Sequence, residues 1–92
     1  MVRKEAKIRS VYGLHARPSA MISEIARSSD GKTTIQIENP VTGEKADARS
    51  LLSLLALALE TEQKAVISVE GVDEEAVLQK ITEVIEGFVA EQ

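Results

Sequence analysis

The chain has no cysteine and no tryptophan, and its 92 residues include one tyrosine, one phenylalanine and one histidine. Without cysteine there is neither a disulfide framework nor a thiolate metal site, and a lone imidazole leaves only carboxylates as further ligands, which excludes a structural zinc. With so few aromatics the core has to be filled by Leu, Ile, Val and Ala. No apolar run is long enough to cross a bilayer, and the opening residues Met1, Val2, Arg3 and Lys4 lack the apolar stretch of a signal sequence. A cytoplasmic protein without membrane insertion is expected. Positive charge is also in deficit: the formal net charge of -4 argues against nucleic acid as a partner. A chain this short supports one core, so a single domain over 1–92 is expected.

What is present is periodic. Val2, Ala6 and Ile8 alternate with Arg3, Glu5, Lys7 and Arg9, the pattern of a strand with one wet face, which Lys4 interrupts. After Gly13 the period changes, and Pro18, Ile22, Ile25 and Ala26 predict a helix over 16–29. Residues 33–38 alternate again with Ile35 and Ile37 inward. The run Asn39-Pro40-Val41-Thr42-Gly43 then predicts a turn into a weak strand over 44–47. Ser50 can cap a second helix over 51–59 whose leucines leave hardly any polar side, so that one side is expected to be covered by a partner. A strand over 64–70 ends at Gly71. Asp73 can cap a last helix carrying Val77, Leu78, Ile81, Val84, Ile85 and Phe88 on one face. The order β-α-β-β-α-β-α with half-wet strands implies an α+β fold with helices on one face of an antiparallel sheet.

Gly13-Leu14-His15-Ala16-Arg17-Pro18-Ser19 carries the chemistry. By residue type alone a lone histidine is more often structural than reactive, but this one stands where a strand gives way to a helix. The first N–H groups of a helix lack partners within it and the macrodipole adds partial positive charge there, so a phosphoryl group on His15 would meet backbone donors at Ala16 and Arg17. Pro18 spends no donor at this end. Arg17 adds a permanent cation whose fork fits phosphate oxygens. Gly13 is expected to free the backbone for the turn and to let a partner approach closely. Arg3, Lys4, Lys7, Arg9 and Arg17 make the His15 end the more electropositive one.

This stretch resembles the active-site signature of the HPr family, the histidine-containing phosphocarriers of the bacterial phosphoenolpyruvate-dependent sugar phosphotransferase system. The similarity extends along the chain through Arg49-Ser50-Leu51-Leu52 and Val69-Glu70-Gly71-Val72-Asp73-Glu74. It implies an open-faced β-sandwich, a four-stranded antiparallel sheet with three helices on one face. It also implies that His15 accepts a phosphoryl group on Nδ1 from phospho-enzyme I and passes it to a sugar-specific enzyme IIA, with Arg17 compensating charge. Such a protein is a covalent intermediate of a relay, without a cofactor or metal, and is expected to be a monomer.

The same resemblance places Ser50 where a kinase acts in some relatives, giving a serine kinase or phosphatase as a further partner, although capping alone accounts for a serine there. Ala20, Met21, Leu51, Leu52 and Leu55 are implied as docking residues, with Leu54 and Leu57 in the core. Three features depart from the family pattern. Tyr12 replaces a short polar residue able to assist at the histidine, the 39–45 hairpin is longer than in most relatives, and Glu62 stands where a turn glycine is common. Two rival functions share these residues: a regulatory paralogue that signals nitrogen or carbon status through the same His15 chemistry, and an anion- or protein-binding module in which His15 is never phosphorylated.

Overall fold

The computed structural model of the chain describes residues 1–87. Phe88, expected on the last helix, lies outside the described residues. The elements run β1 (Val2–Lys7), α1 (Ala16–Ser28), β2 (Thr34–Glu38), β3 (Lys45–Asp47), α2 (Leu51–Ala56), β4 (Lys64–Glu70) and α3 (Glu74–Gly87). The strands form one sheet in the order β1-β4-β2-β3 with every pairing antiparallel. This is the expected open-faced α+β sandwich.

β4 lies between β1 and β2, which explains its nearly unbroken apolar composition: Ala65, Val66, Ile67 and Val69 are all buried. Ala6, Ile8, Ile35, Ile37 and Ala46 continue its inner face. Ile22 and Ala26 of α1, Leu54 of α2, and Val77, Ile81 and Ile85 of α3 close the core from the other side. Lys4 shares the register of core residue Ile67 yet stays exposed, because β1 is an edge strand and a long side chain can leave the layer sideways.

The opposite face of the sheet is open and charged. Arg3 reaches Glu38 at 3.5 Å, Lys64 reaches Glu5 at 3.8 Å, and Lys7 pairs with Glu62 at 2.9 Å. Val66, whose register partners on the flanking strands are Glu5 and Glu38, is only 6% exposed. Two of the five cations expected to charge the His15 end are thus matched by carboxylates, and the electropositive bias is smaller than the sequence suggests.

Three local expectations are changed or extended. The second helix ends at Ala56, short of residue 59, because the chain turns: Ala58 is in the left-handed region with φ 53°. Leu57 and Leu59 stay in the core from this turn rather than from a helix. Asn39 opens the expected turn and is in addition a buried hub. Its side-chain N–H donates to the Leu57 carbonyl at 2.9 Å, and its Oδ1 accepts from Val41 N–H at 3.0 Å and Gln63 Nε2 at 2.6 Å. Asp73 begins α3 through its backbone carbonyl, but its carboxylate accepts from the Thr33 hydroxyl at 2.6 Å and Asp30 N–H at 3.3 Å.

Arg49 acts as a clamp that local periodicity does not reveal. Its guanidinium donates to the carbonyls of Thr33 and Asp30 and to the Ser29 hydroxyl at 2.7, 3.0 and 3.0 Å. Its own carbonyl accepts from Ser23 Oγ at 3.2 Å and Arg27 Nε at 3.3 Å. The end of α1, the start of β2 and the start of α2 are therefore joined at one residue.

Candidate functional site

His15 sits at the end of a loop that is built against the far turn of the chain. Ser10 is buried, and its carbonyl accepts from Gly13 N–H at 3.0 Å, closing a tight turn. Gly13 follows with φ 73°, a conformation a side chain disfavours. A Cβ there would collide with the Leu59 carbonyl oxygen and press on Glu60 Cα. The missing side chain therefore makes room for the protein's own backbone, which corrects the expectation that it admits a partner. Leu14 then donates its N–H to the Leu59 carbonyl at 2.9 Å and inserts its side chain in the core.

With Gly13 and Leu14 fixed, His15 becomes the N-cap of α1. Its backbone is extended (φ -85°, ψ -167°), and its carbonyl accepts from Ser19 N–H at 3.1 Å, the first bond of the helix. Ser19 returns a bond of its own, donating from Oγ to the Leu14 carbonyl at 3.2 Å. Pro18 is buried in the first turn, where the absence of its N–H costs nothing. Nδ1 of His15 accepts from the Arg17 backbone N–H at 3.5 Å, at the long limit for such a bond. With Nδ1 accepting, a neutral ring carries its proton on Nε2. The lone pair of Nδ1 is thereby turned toward the positive end of the helix. No acidic residue occupies the first turn of α1 to cancel that field.

Ala16 and Arg17 are exposed on this first turn and His15 is half-buried. Tyr12 also belongs to the site: its ring stands edge-on to His15, with centroids 5.8 Å apart and planes at 89°. Sequence reasoning treated Tyr12 only as the loss of a polar residue. The available signal was an aromatic ring three residues from the histidine in a chain nearly devoid of them.

The remaining candidates lie along α1 and α2. Ser50 caps α2, its Oγ accepting from Ser53 N–H at 3.2 Å. Its neighbour Arg49 is bonded to Ser23, which lies eight residues, about 12 Å of helix, beyond His15. Ala20 and Leu51 are brought together, lining a groove of 440 Å³ between α1 and α2 with Ser23, Glu24 and Arg27. Leu52 is 78% exposed and Leu55 is exposed as well, whereas Leu54 is fully buried. Met21 faces elsewhere, lining a depression beside α3 with Lys80, Glu83, Val84 and Gly87. Among the described residues, no three His, Cys, Asp or Glu side chains stand together to hold a metal, and no helix is long and apolar enough to cross a membrane.

One histidine displayed at a helix end of an open-faced sandwich, outside any enclosing pocket, is an arrangement suited to carrying a chemical group in the open. The family model of the PTS HPr component phosphorylation site matches residues 2–87, and the chain belongs to this family, the HPr phosphocarriers. It is 36% identical over 88 residues to the phosphocarrier protein HPr of Borreliella burgdorferi, covering 96% of this chain and 98% of that one. The HPr-like protein Crh of Bacillus subtilis is 28% identical over 81 residues, covering 88% and 91%. A crystal structure of HPr from Bacillus anthracis superposes with a TM-score of 0.82 at 28% identity over 92% of this chain and 96% of that one.

Proposed function

We propose that His15 accepts a phosphoryl group on Nδ1 from phospho-enzyme I and hands it to a sugar-specific enzyme IIA, the chain acting as one cytoplasmic domain and a monomer. The observation that carries this reading is the bond from Arg17 N–H to His15 Nδ1, which turns that nitrogen to the N-terminus of α1. In the handover the Nδ1 lone pair attacks phosphorus in line as the donor's bond to phosphorus breaks and its electron pair leaves with the donor. The Arg17 N–H, no longer aimed at a lone pair, and the Ala16 N–H beside it then donate to the phosphoryl oxygens, and the Arg17 guanidinium offsets the added charge. The exposed leucines of α2 supply an apolar surface for brief docking of both partners. Ser50 caps α2 and is the position at which a serine kinase would add charge to that surface.

Incubation with phosphoenolpyruvate and enzyme I is expected to add one acid-labile phosphoryl group. Because His15 also caps α1, His15→Asn is the cleaner loss variant, since asparagine keeps a cap while removing the nucleophile. It is expected to abolish the addition, and Arg17→Ala to slow it by about tenfold or more with the fold intact. An unchanged intact mass with active enzyme I overturns the reading. Onward transfer to purified enzyme IIA separates a transport role from that of a regulatory paralogue.

A further inference from the structure

Tyr12 is the chain's single tyrosine, and its side chain is 69% exposed. It belongs to no part of the buried core, so core packing gives no reason for a large ring at this position. The ring nevertheless has a defined place. Its centroid lies 5.8 Å from that of His15 with the planes at 89°, the arrangement in which the positive edge of one ring meets the negative face of the other. The backbone that carries it is also anchored: the Ser10 hydroxyl accepts from Tyr12 N–H at 3.4 Å, the Ser10 carbonyl accepts from Gly13 N–H at 3.0 Å, and Ser10 is 2% exposed.

The Tyr12 ring adds to what orients His15. The second side-chain torsion of histidine is broad, and a 3.5 Å hydrogen bond to Nδ1 restrains it weakly. A phosphoryl acceptor gains from having its reacting nitrogen held in the direction of attack, because misaligned orientations are unproductive. A second ring packed at right angles narrows the range of those orientations without blocking Nδ1.

We propose that Tyr12 is a positioning residue for phosphoryl transfer, its ring holding the His15 imidazole with Nδ1 turned to the start of α1. The inference rests on the reading of His15 as the acceptor. Tyr12 contributes neither proton nor electron pair: the Nδ1 lone pair forms the new bond to phosphorus, and the electrons of the broken bond leave with the donor.

The test compares the full-length protein with Tyr12→Ala and Tyr12→Phe, using phosphoenolpyruvate and enzyme I for kinetics and nitrogen NMR of His15 for ring state. Tyr12→Ala is expected to lower kcat about three- to tenfold, the range of an aromatic pair, with KM for the carrier nearly constant. Its two ring-nitrogen shifts are expected to converge as the ring samples both tautomers. Tyr12→Phe, which keeps the ring, is expected to restore both the rate and the separated shifts. A kcat and nitrogen pattern unmoved in Tyr12→Ala overturns the proposal. So does a change confined to KM, which would make Tyr12 a docking contact. If the parent protein itself takes no phosphoryl group, the acceptor reading fails, and the nitrogen shifts alone decide whether Tyr12 orients the ring.

Discussion

Leu14 donates its backbone N–H to the carbonyl of Leu59 at 2.9 Å, so the residue before His15 is tied to the turn that follows α2. That turn is held in its own right by Gln63, whose Oε1 accepts from Glu60 N–H at 3.1 Å and whose Nε2 donates to Asn39 at 2.6 Å. The position of His15 is therefore set by a segment distant in sequence, and damage to the contact is expected to appear in both stability and chemistry.

Gly13→Ala tests this directly. The new methyl would meet the Leu59 carbonyl and strain a backbone at φ 73°, so a loss of about 2 kcal/mol or more is expected in urea unfolding. Phosphorylation at His15 should slow even where the variant remains folded. Parental stability in this variant would show that the loop does not depend on the close approach.

Ala58 offers the opposite case. It is exposed and held at φ 53° with no glycine to relieve the strain. Ala58→Gly is expected to stabilise the protein by about 0.5–1 kcal/mol, seen as a higher melting temperature in calorimetry. A lower melting temperature would refute it.

The acid limb of stability should depend on Thr33. Its hydroxyl, by donating to Asp73, is the main reason that carboxyl lies below its ordinary value of 3.8. Burial opposes the shift, and the N–H groups of Asp30 and Asp73 and the charge of Lys80 add to it. A depressed folded value contributes stability that is complete above 3.8 and is lost as pH falls through the folded value. Thr33→Val is expected to weaken the protein at neutral pH and to flatten the decline below 3.8. Urea midpoints measured across that range decide it, and parallel curves for the two proteins would remove Asp73 from the acid response.

Leu52 and Leu54 separate docking from folding. Leu52→Ser should stay within about 0.5 kcal/mol of the parent while raising KM with enzyme I, because the side chain is 78% exposed. Leu54→Ala should cost about 2–5 kcal/mol, because its side chain is fully buried. Melting curves beside transfer kinetics distinguish the two, and an unmoved KM for Leu52→Ser would take it off the docking surface.

Ser50→Ala is expected to cost about 1 kcal/mol by uncapping α2, whereas Ser50→Asp keeps a capping oxygen and adds charge. The aspartate variant should melt close to the parent yet accept phosphate from enzyme I more slowly. Equal transfer rates would leave Ser50 with capping alone.

Much of the fold could be read from period alone. Ile35 and Ile37, the Ile22 and Ala26 stripe, and the strand over 64–70 stand as expected, because their burial follows from spacing along one element. The helix-end setting of His15 was equally legible, since capping and dipole are local. What escaped depends on residues far apart in sequence. Nothing near Gly13 announces Leu59, a run of leucines does not show that Ala58 turns left-handed, and Arg49 gives no local sign of the carbonyls it gathers. Glu62 lies between these cases: its occupation of a glycine-like place is matched by φ 70°, and the ion pair with Lys7 is the tertiary feature beside it.

The hairpin between β2 and β3 is closed on itself. Asn39 N–H donates to the Glu44 carbonyl at 2.9 Å, and the Asn39 carbonyl accepts from Gly43 N–H at 2.8 Å, while the Asn39 side chain faces inward to Leu57 and Gln63. Residues 40–43 are exposed beyond that closure. Length can therefore be gained or lost at the tip without passing strain to the framework beneath it, as loop-closure costs grow only slowly with added residues. The hairpin is a natural place to graft a fluorophore or an affinity peptide onto the carrier, because the closure beneath it keeps added length out of the core.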